Sequence, residues 1–322
     1  MTRVLFVAAF DDALHAHAGL RARALERLGC QVTRFDFGGP PGLLDRLRGG
    51  DPADRFARLL DRTGPELVVV VPEEDLSAAF TPAVRGPDSP TWVLLVPDLV
   101  GGMESVEHLA AAYDEVFVTG TDLAENLAAK AGRPAHYLPP GCDPSVHRPM
   151  RSRDQYRANV VFAGTATPRR ERLLAELVEF GLALWGPGWR RTSLRDYCRG
   201  EQLTTGNFVR AYAGASVAVN IHRTGDGDRQ AAGRGVNQRL FELAAIGVPQ
   251  VVDAREDLAR HFRDREEVLV YRNPAELRTL VKMALENHTA AAQVAEAARR
   301  RALGEHTYMH RMREMLEKVR RA

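Results

Sequence analysis

Residues 235–253 read GVNQRLFELAAIGVPQVVD. Leu240, Leu243 and Ile246 recur at helical spacing, and Gly247 stops the run. Pro249–Val252 is then a short apolar segment, too short for a helix, and reads as a buried strand. A helix over Val236–Ile246 that turns within a few residues into such a strand is half of a βαβ unit. Parallel sheets covered on both faces are assembled from these units. The helix is entered from a loop holding Gly225, Gly227, Gly233 and Gly235, so its first amides are open to an anionic ligand.

The same alternation runs through the rest of the chain. Upstream, strands are predicted at Arg3–Ala9, Val32–Phe37, Leu67–Val71, Trp92–Val96, Glu115–Val118 and Ala135–Leu138. Helices are predicted at Ala13–Leu28, Glu104–Ala112 and Asp122–Lys130. The segment Pro139–Met150, PPGCDPSVHRPM, has four prolines and no helical period, and reads as an interdomain linker. Strands then resume at Asn159–Ala163, Leu182–Trp185, Ser216–Ile221 and Glu267–Tyr271. Helices are predicted at Arg170–Phe180 and Phe208–Tyr212 and through most of Asn273–Arg321. The fold class is therefore α/β, with two tandem Rossmann-like domains. Residues 1–148 form the first, residues 149–304 the second, and residues 305–322 a terminal helix. In such sheets ligands bind beyond the C-terminal strand ends, so the loops after strands are the places to look for chemistry.

The length of 322 residues suits two domains, and 45% hydrophobic with 27% charged residues is ordinary for a globular chain. No apolar run approaches the roughly 20 residues of a membrane span. Cys30, Cys142 and Cys198 are odd in number and widely spaced, which argues against a disulfide framework and fits a cytoplasmic protein. Residues 1–150 carry 14 basic against 21 acidic residues, and residues 151–322 carry 30 against 21. The basic second half suits an anionic ligand. Nucleic acid is not the expected one, because its arginines are interleaved with acids and no helix-turn-helix pattern is present.

Several loops hold candidate residues. Gly164–Arg170, GTATPRR, follows a strand and precedes a helix. Gly164 permits close backbone approach, Thr165 offers a hydroxyl and an N–H, and Arg169 or Arg170 could neutralise a phosphate. An ordinary βα turn with solvated arginines is the alternative. In LWGPGW, Trp185 and Gly186 either wall a nucleobase site or pack around a tight turn. Asn220, His222 and Arg223 end a strand at the expected ligand edge. In the first half, His15 lies in the loop after the first strand and Asp98 after the strand VLLVP, where either could act on an acceptor hydroxyl. Asp226 and Asp228 superficially suggest a metal pair but read as a solvated loop, so no metal site is expected.

Asn237, Arg239, Phe241, Glu242, Ala245, Gly247 and Pro249 form N-x-R-x-F-E-x-x-A-x-G-x-P. This resembles the donor-binding motif of GT-B-fold glycosyltransferases, most closely the spore-maturation CgeB-type branch of bacterial enzymes related to glycosyltransferase group 1. YLPPGCDPSVHRP, VVFAGTATPRRERLL and HTYMHR are similar to further segments of that family, in the same order. The resemblance implies two domains facing a cleft, a terminal helix crossing back, and a nucleotide-diphosphate sugar (UDP-, GDP- or TDP-linked) as donor. Transfer to a small-molecule, glycan or protein acceptor would be retaining and metal-independent. It also implies that Glu242 contacts the ribose while Asn237 and Arg239 lie near the diphosphate or sugar. One departure stands out: the group 1 family has a second glutamate eight positions before Glu242, where this chain has Arg234. Two alternatives stay open on the same fold: a non-catalytic nucleotide- or carbohydrate-binding protein of a spore coat or assembly, and a nucleotide-sugar epimerase.

Overall fold

The computed structural model describes residues 1–10, 17–37, 51–72, 80–81, 89–96, 103–131, 135–223 and 233–321. The chain divides into two compact units. The first contains β1 (Arg3–Ala8), α1 (His17–Arg27), β2 (Gln31–Asp36), α2 (Pro52–Thr63), β3 (Leu67–Val70), β4 (Thr91–Val96), α3 (Met103–Ala110), β5 (Glu115–Val118), α4 (Thr121–Ala131) and β6 (Ala135–Tyr137). Its strands form one parallel sheet in the order β2-β1-β3-β4-β5-β6. Alternate residues of these strands (Leu5 and Val7, Val68 and Val70, Leu94 and Val96, Val116 and Val118) share one core, as the two-residue period of a strand requires.

The second unit contains β7 (Ala158–Ala163), α5 (Pro168–Ala175), β8 (Leu182–Trp185), β9 (Cys198–Gly200), α6 (Thr205–Ala213), β10 (Ala215–Asn220), α7 (Gln238–Ile246), β11 (Gln250–Asp253), β12 (Leu269–Tyr271), α8 (Pro274–Glu286) and α9 (His288–Glu305). Its parallel sheet runs β12-β11-β10-β7-β8-β9. Both faces are covered. Val160, Phe162, Leu182, Leu184, Val217, Val219 and Val251 pack against α5 and α8, while Val161, Ala163, Ala183 and Ala218 pack with side chains of α6 and α7. This explains the unbroken apolar runs in the sequence: a strand buried on both sides has no polar face to show. The last helix, α10 (Tyr308–Val319), belongs to the first unit and packs along α1.

Several predicted bounds shift for local reasons. The helix expected from Val236 starts at Gln238, because Asn237 caps it by accepting from Leu240 N. The helix expected over Arg170–Phe180 begins at Pro168, capped by Thr167, and ends at Ala175. A short 3-10 turn, Val178–Phe180, follows it. Two elements were not anticipated, α2 and β9. The proline-rich stretch after Pro139 is built into the second unit. Cys142 N donates to His306 O, Gln238 Nε2 donates to Gly141 O, and Pro140–Asp143 are buried. Among the described residues no helix is long and apolar enough to cross a membrane.

Candidate functional site

The order of the second sheet contains a reversal. From β7 the chain steps outward to β8 and β9, then returns to place β10 on the other side of β7. A crevice at the C-terminal ends of the strands is expected at such a switch point. The two flanking loops are Gly164–Thr167 after β7 and Ile221–Arg223 after β10, both singled out in the sequence.

Arg170 ties these loops together. Its guanidinium donates to Thr165 O at 2.9 Å and to Ile221 O at 2.8 Å, and lies over the Phe162 ring at 5.2 Å. The side chain is buried. Burial, then the like charges of Arg239 and Arg223, push its pKa down to about 9. Arg170 is thus an internal brace that still adds positive charge. Its neighbour Arg169 is more open, with 26% of its side chain exposed, and donates to His222 O at 3.2 Å and to Asp253 Oδ2 at 3.0 Å.

Asp253, the last residue of β11, organises the next layer. It accepts from the His222 backbone N–H at 3.0 Å, from His222 Nδ1 at 2.6 Å, from Arg169, and from Arg255 at 3.4 Å. Burial alone would raise its pKa. His222, its hydrogen bonds and Arg255 outweigh that and hold the carboxyl well below the usual range. An ionised carboxylate can only accept, so the proton of the imidazole sits on Nδ1. Burial in turn drives the His222 pKa down, against the pull of Asp253. Tyr271 pairs with Asp253 in strand register, and its phenol is pushed up by burial and by the same carboxylate.

Asn220 and Asn237 face each other. Asn220 Nδ2 donates to Asn237 Oδ1 at 3.1 Å, and Asn237 Nδ2 donates to Asn220 Oδ1 at 2.8 Å. Their amides therefore fasten the end of β10 to the start of α7. Arg239, in the first turn of α7, lies over Phe162 and Phe208 at 5.8 and 6.0 Å. Arg223 is exposed. Glu242 is 5% exposed, and its Oε1 lies 3.4 Å from Nε2 of His147. His147 Nδ1 accepts from Asp143 N at 3.1 Å, so Nε2 carries the hydrogen. The resemblance implies a ribose contact for Glu242; the structure adds His147 as a buried neighbour of its carboxylate.

Trp185 and Gly186 belong to a packing device. Trp185 is buried, with Tyr156 and Arg199 against its ring. Gly186 has φ +125°, and a Cβ there would lie 2.3 Å from Gly164 O. Gly164 N donates to Trp185 O, Ala166 N donates to Pro187 O, and Trp189 Nε1 donates to Gly164 O. The loops after β7 and β8 are thereby fixed in one shape, with Thr165 exposed at the top.

Of eight buried side-chain polar atoms without a partner among the described residues, five lie along this strand edge: Arg170 Nε, Arg239 Nε, Arg255 Nε, His222 Nε2 and Tyr271 OH. Buried polar atoms are normally satisfied, so their concentration here makes this edge the candidate ligand site. The sequence did not single out Asp253, Arg255, Tyr271 or His147 as site residues. Asp253 closes the stretch GVPQVVD, one residue beyond the predicted strand Pro249–Val252. In the first unit, His15 and Asp98 lie outside the described residues, as do Asp226, Asp228, Gly225 and Gly227. His17 opens α1, with its Nδ1 3.1 Å from the Tyr308 hydroxyl.

Residues 169–317, from α5 to α10, match the glycosyl transferase-like family. Over the full length the chain superposes on glycosyltransferase structures at low identity. The chain has the GT-B fold of these structures. Sucrose-phosphate synthase from Thermosynechococcus elongatus is 13% identical with a TM-score of 0.67, over 100% of this chain and 99% of that one. HepE from Anabaena, solved with UDP-glucose, is 12% identical with a TM-score of 0.67, over 100% of both chains. AviGT4, a glycosyltransferase of avilamycin A biosynthesis, is 17% identical with a TM-score of 0.62, over 100% of this chain and 98% of that one. No curated protein matches this chain by sequence.

Proposed function

We propose that the second unit binds a nucleotide-diphosphate sugar at the β7/β10 switch point, and that the enzyme transfers the sugar to an acceptor served by the first unit. One observation carries this reading. Arg169, Arg170, Arg223, Arg239 and Arg255 gather at one strand edge, three of them with buried Nε atoms that lack a partner. Like charges held together at partial burial repel, and a diphosphate relieves that repulsion while supplying acceptor oxygens. The first turn of α7 adds the positive end of its dipole.

The same groups suit a leaving group better than a ground state. Negative charge grows on the nucleoside diphosphate as the glycosidic bond breaks, and arginines already in place stabilise it without reorganising. No metal is required for that neutralisation. Glu242, one turn further along α7, is the carboxylate for the ribose hydroxyls, with Asn237 and Arg239 nearer the phosphates. On the acceptor side, Asp98 and His15 are the residues whose place in the sequence suits orienting or deprotonating a hydroxyl. The motif order favours the CgeB-type branch and retention of configuration. None of the three cysteines forms a disulfide among the described residues, and we place the reaction in the reducing cytoplasm.

Calorimetry with UDP, GDP and dTDP tests the donor site. Wild-type protein is expected to bind one of them, and Arg239→Ala to weaken that binding about tenfold or more while the protein stays folded. No binding by the wild type, or equal binding by the variant, refutes the assignment. Incubation with the matching nucleotide sugar then shows turnover as released nucleoside diphosphate.

A further inference from the structure

We propose that His222 is a sugar-recognising residue: its Nε2 accepts a hydrogen bond from a hydroxyl of the donor sugar. The proposal rests on the nucleotide-sugar reading above and adds a specific contact to it. The polar groups of this edge are nearly all donors. Arginine has no acceptor at all. The Asn220 and Asn237 amides satisfy each other, and the Asp253 carboxylate already takes four contacts. His222 differs. With its Nδ1 proton committed to Asp253 at 2.6 Å, Nε2 presents a bare lone pair, and that atom is buried without a partner.

A ligand made only of phosphate oxygens would satisfy the arginines and leave this lone pair unmet. A ligand that also carries a hydroxyl satisfies both. The arrangement therefore selects a phosphate-linked polyol over phosphate alone. Asp253 acts through the imidazole, by fixing its tautomer and its ring plane, as a carboxylate behind a histidine commonly does. Burial lowers the pKa of the imidazole, which favours the form in which Nε2 accepts.

The experiment compares each nucleoside diphosphate with its sugar: UDP with UDP-glucose, GDP with GDP-mannose, dTDP with dTDP-glucose. His222→Asn retains a group at the Nδ1 position that can donate to Asp253 but has nothing at Nε2. His222→Gln places an amide near Nε2. We expect His222→Asn to leave nucleoside diphosphate affinity within about twofold and to weaken the nucleotide sugar about tenfold, roughly 1.4 kcal/mol, with partial recovery in His222→Gln. Equal loss for both ligands, or loss for neither, overturns the proposal. Nitrogen-15 NMR of the wild-type imidazole is a second test that survives a misfolded variant. The His222 Nε2 resonance should be that of an unprotonated nitrogen and should move with the nucleotide sugar but not with the nucleoside diphosphate. A protonated Nε2, or a resonance indifferent to the sugar, as for an enclosed water, overturns it. If no pair binds the wild type, the donor-site reading fails and this contact falls with it.

Discussion

Gly186→Ala is the perturbation with the best-defined cost. The added Cβ would sit 2.3 Å from Gly164 O and 2.6 Å from Gly164 C, both backbone atoms that cannot swing away. The native φ of +125° is also one that an alanine adopts only under strain. A strained backbone conformation costs about 1–3 kcal/mol. Relieving the overlap by shifting the chain costs about 1–3 kcal/mol more. The shift would also pull Gly164 O from Trp189 Nε1, now 2.8 Å away, and disturb the Gly164 N to Trp185 O bond. A total of about 2–6 kcal/mol follows, a large part of the roughly 5–15 kcal/mol that holds a domain folded. Urea unfolding followed by tryptophan fluorescence reads it directly, since Trp185 and Trp189 flank the mutated turn. Gly19→Ala is the control. It lies in α1 with nothing within 4 Å of the new Cβ, and should leave stability unchanged or raise it by up to about 1 kcal/mol. If Gly186→Ala unfolds within about 0.5 kcal/mol of wild type, the two loops are not locked as described.

Other outcomes follow from the same packing. Burial pushes the His147 pKa down to about 4 from an ordinary value near 6.5, so the unfolded chain takes up the proton first. Stability should be flat above about pH 6.5 and fall as pH drops toward 4, by on the order of 3 kcal/mol. His147→Phe should remove that slope in pH-dependent unfolding. Asp253→Ala leaves His222, Arg169 and Arg255 without their shared acceptor and should cost about 3–5 kcal/mol in urea unfolding. Nucleoside diphosphate affinity should decline steadily as salt rises from low to physiological ionic strength, because the binding edge carries several guanidiniums. Calorimetry at three salt concentrations checks this.

Strand and helix identities were readable because they depend on local period. Val68–Val70 and Val160–Phe162 are apolar without interruption because helices cover both sheet faces, and that pattern is written in consecutive residues. Helix α2 carried readable signals as well: Asp51 as cap, Pro52 in the first turn and Gly64 at the end. Strand β9, only Cys198–Gly200, has too few residues to show a period. The motif loops GTATPRR and NQRLFE were also correctly placed at strand ends and a helix start, since glycine, proline and capping residues punctuate the chain locally.

What each side chain does there was decided by tertiary structure. Nothing near Arg170 in the sequence reveals that it braces Ile221, 51 residues away. His222 acquires a fixed tautomer from Asp253, 31 residues on, because β10 and β11 lie side by side. Glu242 meets His147 only because the proline-rich stretch folds into the second unit. Backbone form responds to neighbours within a few residues, so composition and spacing determine it. Charge state, hydrogen-bond partner and burial respond to whatever the sheet order brings alongside, and that order is a property of the whole folded unit.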